Sequence, residues 1–223
     1  MLNYFTISTV AELLCFLTGI LCLIKDKSYV WRCMVIYLFL TCAAELTGIY
    51  ISGPKRSVNN NWVYNIFLVF EAGFTNLMFA YLLGKYINSK PIIIIGLAIV
   101  ATLYVFELHD NYVHHILIYN INTYKVLSIL FVIYSLYYYY LLLKDKNYVR
   151  LRYSPEFWWV AGTLLFYFTN TACNIFYKPL STVLVWNGIH LTRYIISALN
   201  ILLYGCWSYS FICRKWQTTT LKV

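Results

Sequence analysis

Seven long apolar stretches restrict what this sequence can fold into. An α-helix needs about 20 apolar residues to cross the hydrocarbon layer of a bilayer. Such stretches lie near 5–24, 33–52, 62–83, 91–107, 116–143, 157–177 and 189–213. They are continuous, whereas membrane β-strands alternate. Hydrophobic residues make up 61% of the chain and charged residues 11%, against about 45–50% and about 25% in soluble domains. The sequence therefore predicts an all-α membrane protein, with one seven-helix transmembrane domain over residues 1–223.

The basic residues predict the orientation of this bundle, because Lys and Arg collect in short cytoplasmic loops. If the amino terminus is outside, the inner segments 25–32, 84–90, 144–156 and 214–223 hold twelve Lys and Arg, and the outer segments hold three. No Lys or Arg precedes the first stretch and no small-residue cleavage site follows it, so we expect a retained helix. This pattern predicts a multi-pass protein of the inner (plasma) membrane with a cytoplasmic carboxyl terminus.

A basic hexapeptide occurs twice, as KDKSYV at 25–30 and as KDKNYV at 144–149. Both copies follow a helix that descends to the inner face, where basic residues interact with anionic headgroups. An internal duplication is the alternative, with helices one to three corresponding to five to seven in a 3+1+3 pseudo-repeat. No soluble domain is predicted that could present a basic patch to nucleic acid, so the lipid bilayer is the predicted partner.

Five charged residues fall inside the predicted spans: Glu12, Glu45, Glu71, Lys125 and Arg193. A charge that faces lipid at the bilayer centre costs about 2.5–3.5 kcal/mol, so we expect these side chains to face the interior and to meet in the outer half of the bundle. Three acids against two bases leave either a protonated Glu or a bound cation.

Polar residues at helical spacing extend this set. Asn65, Asn170, Asn200 and Tyr204 fall on polar stripes of three helices, since residues 3, 4, 7 and 11 apart share a helix face. The pattern predicts an outward-facing polar pocket for a small solute or a cation. The alternative is that these groups only join helices through hydrogen bonds, each worth about 0.6 kcal/mol.

Histidines gather in the segment ELHDNYVHH, where His109, Asp110, His114 and His115 are candidate metal ligands. The alternative is a solvated polar loop. The seventh stretch has no lysine for a retinal Schiff base, and G-x-S-x-G, H-E-x-x-H and Gly-rich phosphate motifs are absent. We therefore assign no catalytic residue and expect no cofactor.

Four segments carry a family resemblance: YLFLTCAAELTGIYI, VYNIFLVFE, FWWVAGTLLFYFTN and LNILLYGCWSYSFIC. With them the chain resembles small seven-helix inner-membrane proteins of unknown function common in Bacteroidota. The resemblance implies a partner among membrane or cytoplasmic signalling proteins, and it points to Glu45, Asn65, Glu71, Asn170 and Asn200 as positions to test.

Three functional hypotheses follow. The first is a ligand- or ion-binding sensor, or an accessory signalling component, that acts with a partner protein. The second is a small secondary transporter or channel that uses the same carboxylates. The third is an intramembrane enzyme that modifies lipids, although no paired-carboxylate geometry is evident in the sequence.

Overall fold

The computed structural model describes residues 7–52, 59–114, 118–146, 150–176, 180, 182–185 and 189–220. Seven α-helices and one short hairpin lie in this part of the chain. The helices are α1 (Ile7–Leu23), α2 (Tyr29–Ile51), α3 (Asn61–Leu83), α4 (Lys90–Val113), α5 (Ile121–Lys144), α6 (Pro155–Ile175) and α7 (Leu191–Thr220). The hairpin pairs β1 (Leu184–Val185) with β2 (Ile189–His190). The predicted all-α fold with seven helices is confirmed.

Five of these helices, α2, α3, α4, α5 and α7, are long and apolar enough to cross a membrane. Helix α1 is also apolar but has only 17 residues. Helix α6 has 21 residues, and its Thr, Asn, Tyr and Trp side chains lower its mean hydropathy. Length and composition thus support five crossings. The two further crossings that the sequence predicts are not shown by this criterion.

The outward faces of the helices suit a lipid environment. In α4 only 17% of the most apolar window is buried, and large side chains such as Val105 and Phe106 are exposed. Exposed apolar area on this scale is unusual in soluble monomers. Helix α7 has 30 residues, which at 1.5 Å per residue is about 45 Å. It therefore exceeds the roughly 30 Å hydrocarbon thickness.

Local hydrogen bonds set several helix starts. The Asp26 carboxylate accepts a 2.7 Å bond from the Ser28 amide just before α2, and α2 begins four residues ahead of its expected start. Ser154 caps α6, since its Oγ accepts from the Phe157 amide at 3.3 Å. Pro155 occupies the first position of α6, where a missing amide proton costs nothing.

Contacts divide the chain into two compact units. Unit 1 comprises Met1–Ile24 and Phe131–Val223, and unit 2 comprises Lys25–Leu130. Each unit has its own packed interior.

In unit 1, α7 packs against both α6 and α1. Helices α6 and α7 are antiparallel, with Trp159 stacked on Trp207 at 5.8 Å and with the Trp207 indole donating to the Trp159 carbonyl at 3.2 Å. Helices α1 and α7 are parallel, because Cys15 is hydrogen-bonded to Ser208 and Leu21 accepts from Lys215 Nζ at 3.3 Å.

In unit 2, successive helices run antiparallel. Tyr37 of α2 stacks on Phe74 of α3 with ring centroids 4.5 Å apart. Ser89 before α4 donates to the Ala80 carbonyl near the end of α3 at 2.9 Å. The start of α2, the end of α3 and the start of α4 therefore lie at one end of the unit.

This alternation gathers most basic residues of the described chain at one end of each unit. In unit 2 that end holds Lys25, Lys27, Arg32, Lys85 and Lys90. In unit 1 it holds Lys144, Lys146, Arg150, Arg152, Arg214 and Lys215. Each unit taken by itself thus has one basic end, as a helical membrane protein with short basic loops on one side requires.

Candidate functional site

The end of unit 2 opposite its basic end carries a polar cluster. Here α3 begins, α4 ends and α5 begins, and residues 118–120 form the described part of the connection into α5. We call this region the polar end of unit 2. Asn120 is 1% exposed, so its polar groups require partners.

Asn65 of α3 fastens this connection. Its Nδ2 donates to the Ile118 carbonyl at 2.9 Å, and its Oδ1 accepts from the Asn120 amide at 2.9 Å. From α4, Asn111 Nδ2 donates to Asn120 Oδ1 at 3.0 Å, and the Tyr104 hydroxyl donates to the Asn65 carbonyl at 3.1 Å. Asn65, a predicted site residue, thus joins α3, α4 and the start of α5.

Glu107 of α4 caps α5 from outside that helix. Its Oε1 accepts from the Asn122 amide at 3.0 Å, and its Oε2 accepts from the Thr123 amide at 2.9 Å and from Thr123 Oγ1 at 2.6 Å. The first amides of a helix have no partner within the helix, and its amino end favours negative charge. The Glu107 carboxylate is therefore held in place and stabilised by the start of α5.

Tyr119 lies within electrostatic range of both Glu71 and Glu107. Burial raises the pKa of the Tyr119 phenol, and the carboxylates of Glu71 and Glu107 raise it further. Tyr119 is therefore a neutral hydroxyl group, and its ring lies 5.9 Å from that of Tyr124. Glu71 itself is 8% exposed in the interior of α3, so the predicted intramembrane carboxylate is indeed buried.

Lys125 lies at the level of Glu71. Helices α3 and α5 are parallel, since both run opposite to α4, and Asn65 is level with residues 118–120. Glu71 is six residues beyond Asn65, and Lys125 is six beyond Tyr119, so the two side chains leave their helices at similar depth. Lys125 is half-buried and makes no salt bridge among the residues that the structure describes.

Glu45 lies farther out, beside Tyr64. The Tyr64 hydroxyl donates a long 3.4 Å bond to Glu45 Oε2, and it fits against Gly48, where a Cβ atom would collide with it. Tyr64 precedes Glu71 by seven residues, which is about 10 Å along α3. Glu45 and Glu71 therefore occupy two depths of the same unit.

An open groove of about 310 Å³ borders this cluster on α4, lined by Tyr104, Val105, Leu108, His109 and Tyr112. Tyr104 belongs to both the groove and the polar end. The groove lies on one face of α4, where Val105 is 65% and Tyr112 is 76% exposed.

In unit 1, Glu12 and Arg193 do not meet. The parallel register that aligns Cys15 with Ser208 puts Glu12 near the level of residue 205, twelve residues or about 18 Å from Arg193. Glu12 is buried, whereas Arg193 is exposed on the first turn of α7. Asn170 and Asn200 are half-buried, and Tyr204 is buried. Glu12 and Arg193 belong to one unit and the other three charges to the other, so a single shared cluster stays a prediction.

The histidine segment forms a local contact. His114 Nδ1 lies 3.2 Å from Asp110 Oδ1 one turn back on α4, and Glu107 is occupied as a cap. No three His, Cys, Asp or Glu of the described chain are grouped to hold a metal ion. His115 lies outside the described residues.

Several residues of the polar end were not predicted as site residues, namely Tyr104, Glu107, Asn111, Tyr119, Asn120 and Thr123. One local signal was present, since Asn120 followed by Thr123 is a typical helix start. The tertiary cap from Glu107 has no local signature.

Comparisons with protein-family models, curated proteins and solved structures found no match to this chain. The fold and composition place it among α-helical proteins with helices of membrane-spanning type.

Proposed function

We propose that the chain is an inner-membrane protein that crosses the bilayer seven times, with its amino terminus outside and its carboxyl terminus in the cytoplasm. The gathering of most described basic residues at one end of each unit supports this orientation through the charge rule for short loops. Crossings by α1 and α6 are supported by their packing against α7, the helix they share as a neighbour in unit 1. The 3+1+3 duplication stays a prediction.

We propose further that the polar end of unit 2 binds a small cationic solute from the outer side, and that the protein is a sensor or accessory signalling component. The observation that carries this proposal is the burial of Glu71 in an apolar helix. Glu107 caps α5, and Glu45 and Glu71 add two further carboxyl groups to the described part of unit 2, where Lys125 lies at the depth of Glu71. Burial at low dielectric disfavours the charged form of a carboxyl group, and a nearby cation favours it.

The surrounding groups suit an organic cation that also carries a hydrogen-bonding oxygen. Tyr104 and Tyr112 line the groove on α4, and aromatic rings attract ammonium groups. The buried Nδ2 of Asn120 lacks a hydrogen-bond partner among the described residues, so it is an available donor at the polar end of unit 2.

Sensing is favoured over transport by the hydrogen bonds of Asn65 and Glu107, which link three helices at this site. A ligand that competes for these groups changes how α3, α4 and α5 pack. The proposal includes a membrane or cytoplasmic signalling protein as the partner that receives this change.

Ethanolamine is a suitable probe, because it combines an ammonium group with a hydroxyl oxygen. We expect it to raise the melting temperature of the purified protein in detergent more than sodium chloride does at equal ionic strength. Glu71→Gln should abolish this increase. Glu156→Gln is the matched control, since Glu156 is also 8% exposed but lies in unit 1.

Equal responses of the two variants would refute the site. If Glu71→Gln does not give a monodisperse protein, Glu71→Asp should retain binding at reduced affinity. Ethanolamine uptake into vesicles that contain only this protein would favour the transporter alternative over sensing.

A further inference from the structure

The basic end of unit 1 gathers six cationic side chains from three segments. Lys144 and Lys146 come from the end of α5, Arg150 and Arg152 precede α6, and Arg214 and Lys215 lie near the end of α7. Arg214 is half-buried and the other five are exposed. Two acids are nearby in sequence, but Glu156 is buried and Asp145 is half-buried, so the exposed surface is strongly positive.

The segment that carries Arg150 and Arg152 is fastened to α7. The Arg152 carbonyl accepts from the Tyr209 hydroxyl at 3.2 Å and from the Trp158 indole at 3.1 Å, and Cys213 Sγ lies 3.9 Å from it. The next carbonyl, of Tyr153, accepts from Gln217 Nε2 at 3.3 Å. These bonds hold the two arginines beside the stretch of α7 that bears Arg214 and Lys215.

Apolar side chains share this surface with the cations. Leu151 and Tyr153 of the fastened segment are 44% and 43% exposed, and Trp216 of α7 is 55% exposed. The guanidinium group of Arg152 lies 5.8 Å from the Tyr153 ring. Cations mixed with exposed aliphatic and aromatic groups match the boundary between phosphate and hydrocarbon, where side chains of both kinds are stabilised.

We propose that this surface binds an anionic phospholipid, with the phosphodiester held by Arg150, Arg152, Arg214 and Lys215 and the lipid chains beside Leu151 and Trp216. A soluble phosphate needs only the cations, whereas a lipid uses both parts of the surface. The site lies in a different unit from the polar end of unit 2, and its test does not depend on the solute proposal.

Arg150→Gln/Arg152→Gln is the decisive variant. Trp158, Tyr209 and Cys213 contact the backbone carbonyl of Arg152 rather than its side chain. The substitutions therefore remove charge and leave these contacts in place. Lys85→Gln/Lys90→Gln removes the same charge from the basic end of unit 2 and is the matched control. Binding is measured by native mass spectrometry in detergent, with phosphatidylglycerol and phosphatidylcholine titrated separately.

We expect phosphatidylglycerol to bind the unmodified protein and the control variant in preference to phosphatidylcholine. Each basic residue near an anionic headgroup contributes about 1 kcal/mol, so the arginine variant should bind phosphatidylglycerol roughly 30-fold more weakly. Equal weakening in both variants, or no preference between the lipids, overturns the site. If soluble glycerophosphate displaces phosphatidylglycerol when both are at the same concentration, the lipid assignment is overturned. It is also overturned if the arginine variant binds phosphatidylglycerol normally but no longer binds an acidic protein that the unmodified protein binds.

Discussion

Gly162 lies where α6 and α7 cross closely, so adding one methyl group there, by substitution with alanine, tests how tightly the two helices pack. A Cβ atom built on Gly162 lies 2.8 Å from the Cβ of Cys206 and 3.2 Å from the Leu203 carbonyl oxygen. Neither atom is at the end of a flexible side chain, so neither can rotate away. Gly162→Ala therefore requires the two helices to separate or the methyl group to remain compressed.

The expected destabilisation follows from two opposing effects. Overpacking of this kind costs about 1–3 kcal/mol, while replacing a helical glycine by alanine gains up to about 1 kcal/mol. Gly205→Ala on α7 isolates the second effect, because no atom lies within 4 Å of its Cβ position. The difference between the two variants should thus be about 1–3 kcal/mol, which for a chain of this length corresponds to roughly 2–12 °C in melting temperature.

The assay is thermal unfolding of both variants and the unmodified protein in one detergent, followed by intrinsic tryptophan fluorescence. Trp159 and Trp207 stack at this crossing and are two of the seven tryptophans whose emission follows unfolding. Gly162→Ala should unfold at the lower temperature. If it is as stable as Gly205→Ala, the close packing of α6 on α7 is refuted.

Two other predictions concern unit 2 and the topology. Glu107→Gln should lower stability by about 0.5–2 kcal/mol and speed amide exchange at the start of α5, whereas Asp110→Asn, at an exposed position of α4, should leave exchange there unchanged. For the topology, a membrane-impermeant maleimide applied to intact cells should label Asp110→Cys but not Lys146→Cys, and the reverse pattern would invert the orientation.

The sequence predicts the bounds of a helix well where residues that favour helix ends lie directly beside an apolar run. Helix α3 was expected at 62–83 and is observed at Asn61–Leu83, because Asn60 and Gly84 bound the apolar run on both sides. Helix α4 continues to Val113, six residues past its expected end. Hydropathy predicts only the part of a helix that contacts hydrocarbon, so it does not predict the polar segment from Glu107 onward. That segment stays helical through backbone hydrogen bonds and through contacts between residues one turn apart, such as Asp110 and His114.

The candidate site was predicted only in part. The cost of a charge in hydrocarbon is sufficient to predict that Glu71 is buried, since that argument needs only its position in an apolar run. Glu107 required tertiary information, because its partners Asn122 and Thr123 are 15 and 16 residues away. Arg193 was expected inside a membrane span. It lies on the first turn of the 30-residue helix α7, where an arginine side chain can reach the polar interface.

The two interpretations of Glu71, as a ligand-binding group and as a structural link between helices, differ in how stability responds to Glu71→Gln. A hydrogen bond between membrane helices contributes about 0.6 kcal/mol, so a purely structural Glu71 predicts a small loss of stability. A carboxylate kept ionised in an apolar helix to attract a cation carries a desolvation cost that glutamine does not. The binding hypothesis therefore predicts that Glu71→Gln is as stable as the unmodified protein or more so in the absence of ethanolamine, and that it loses only the ligand-dependent increase. A variant that is less stable and still responds to ethanolamine would assign Glu71 to helix packing.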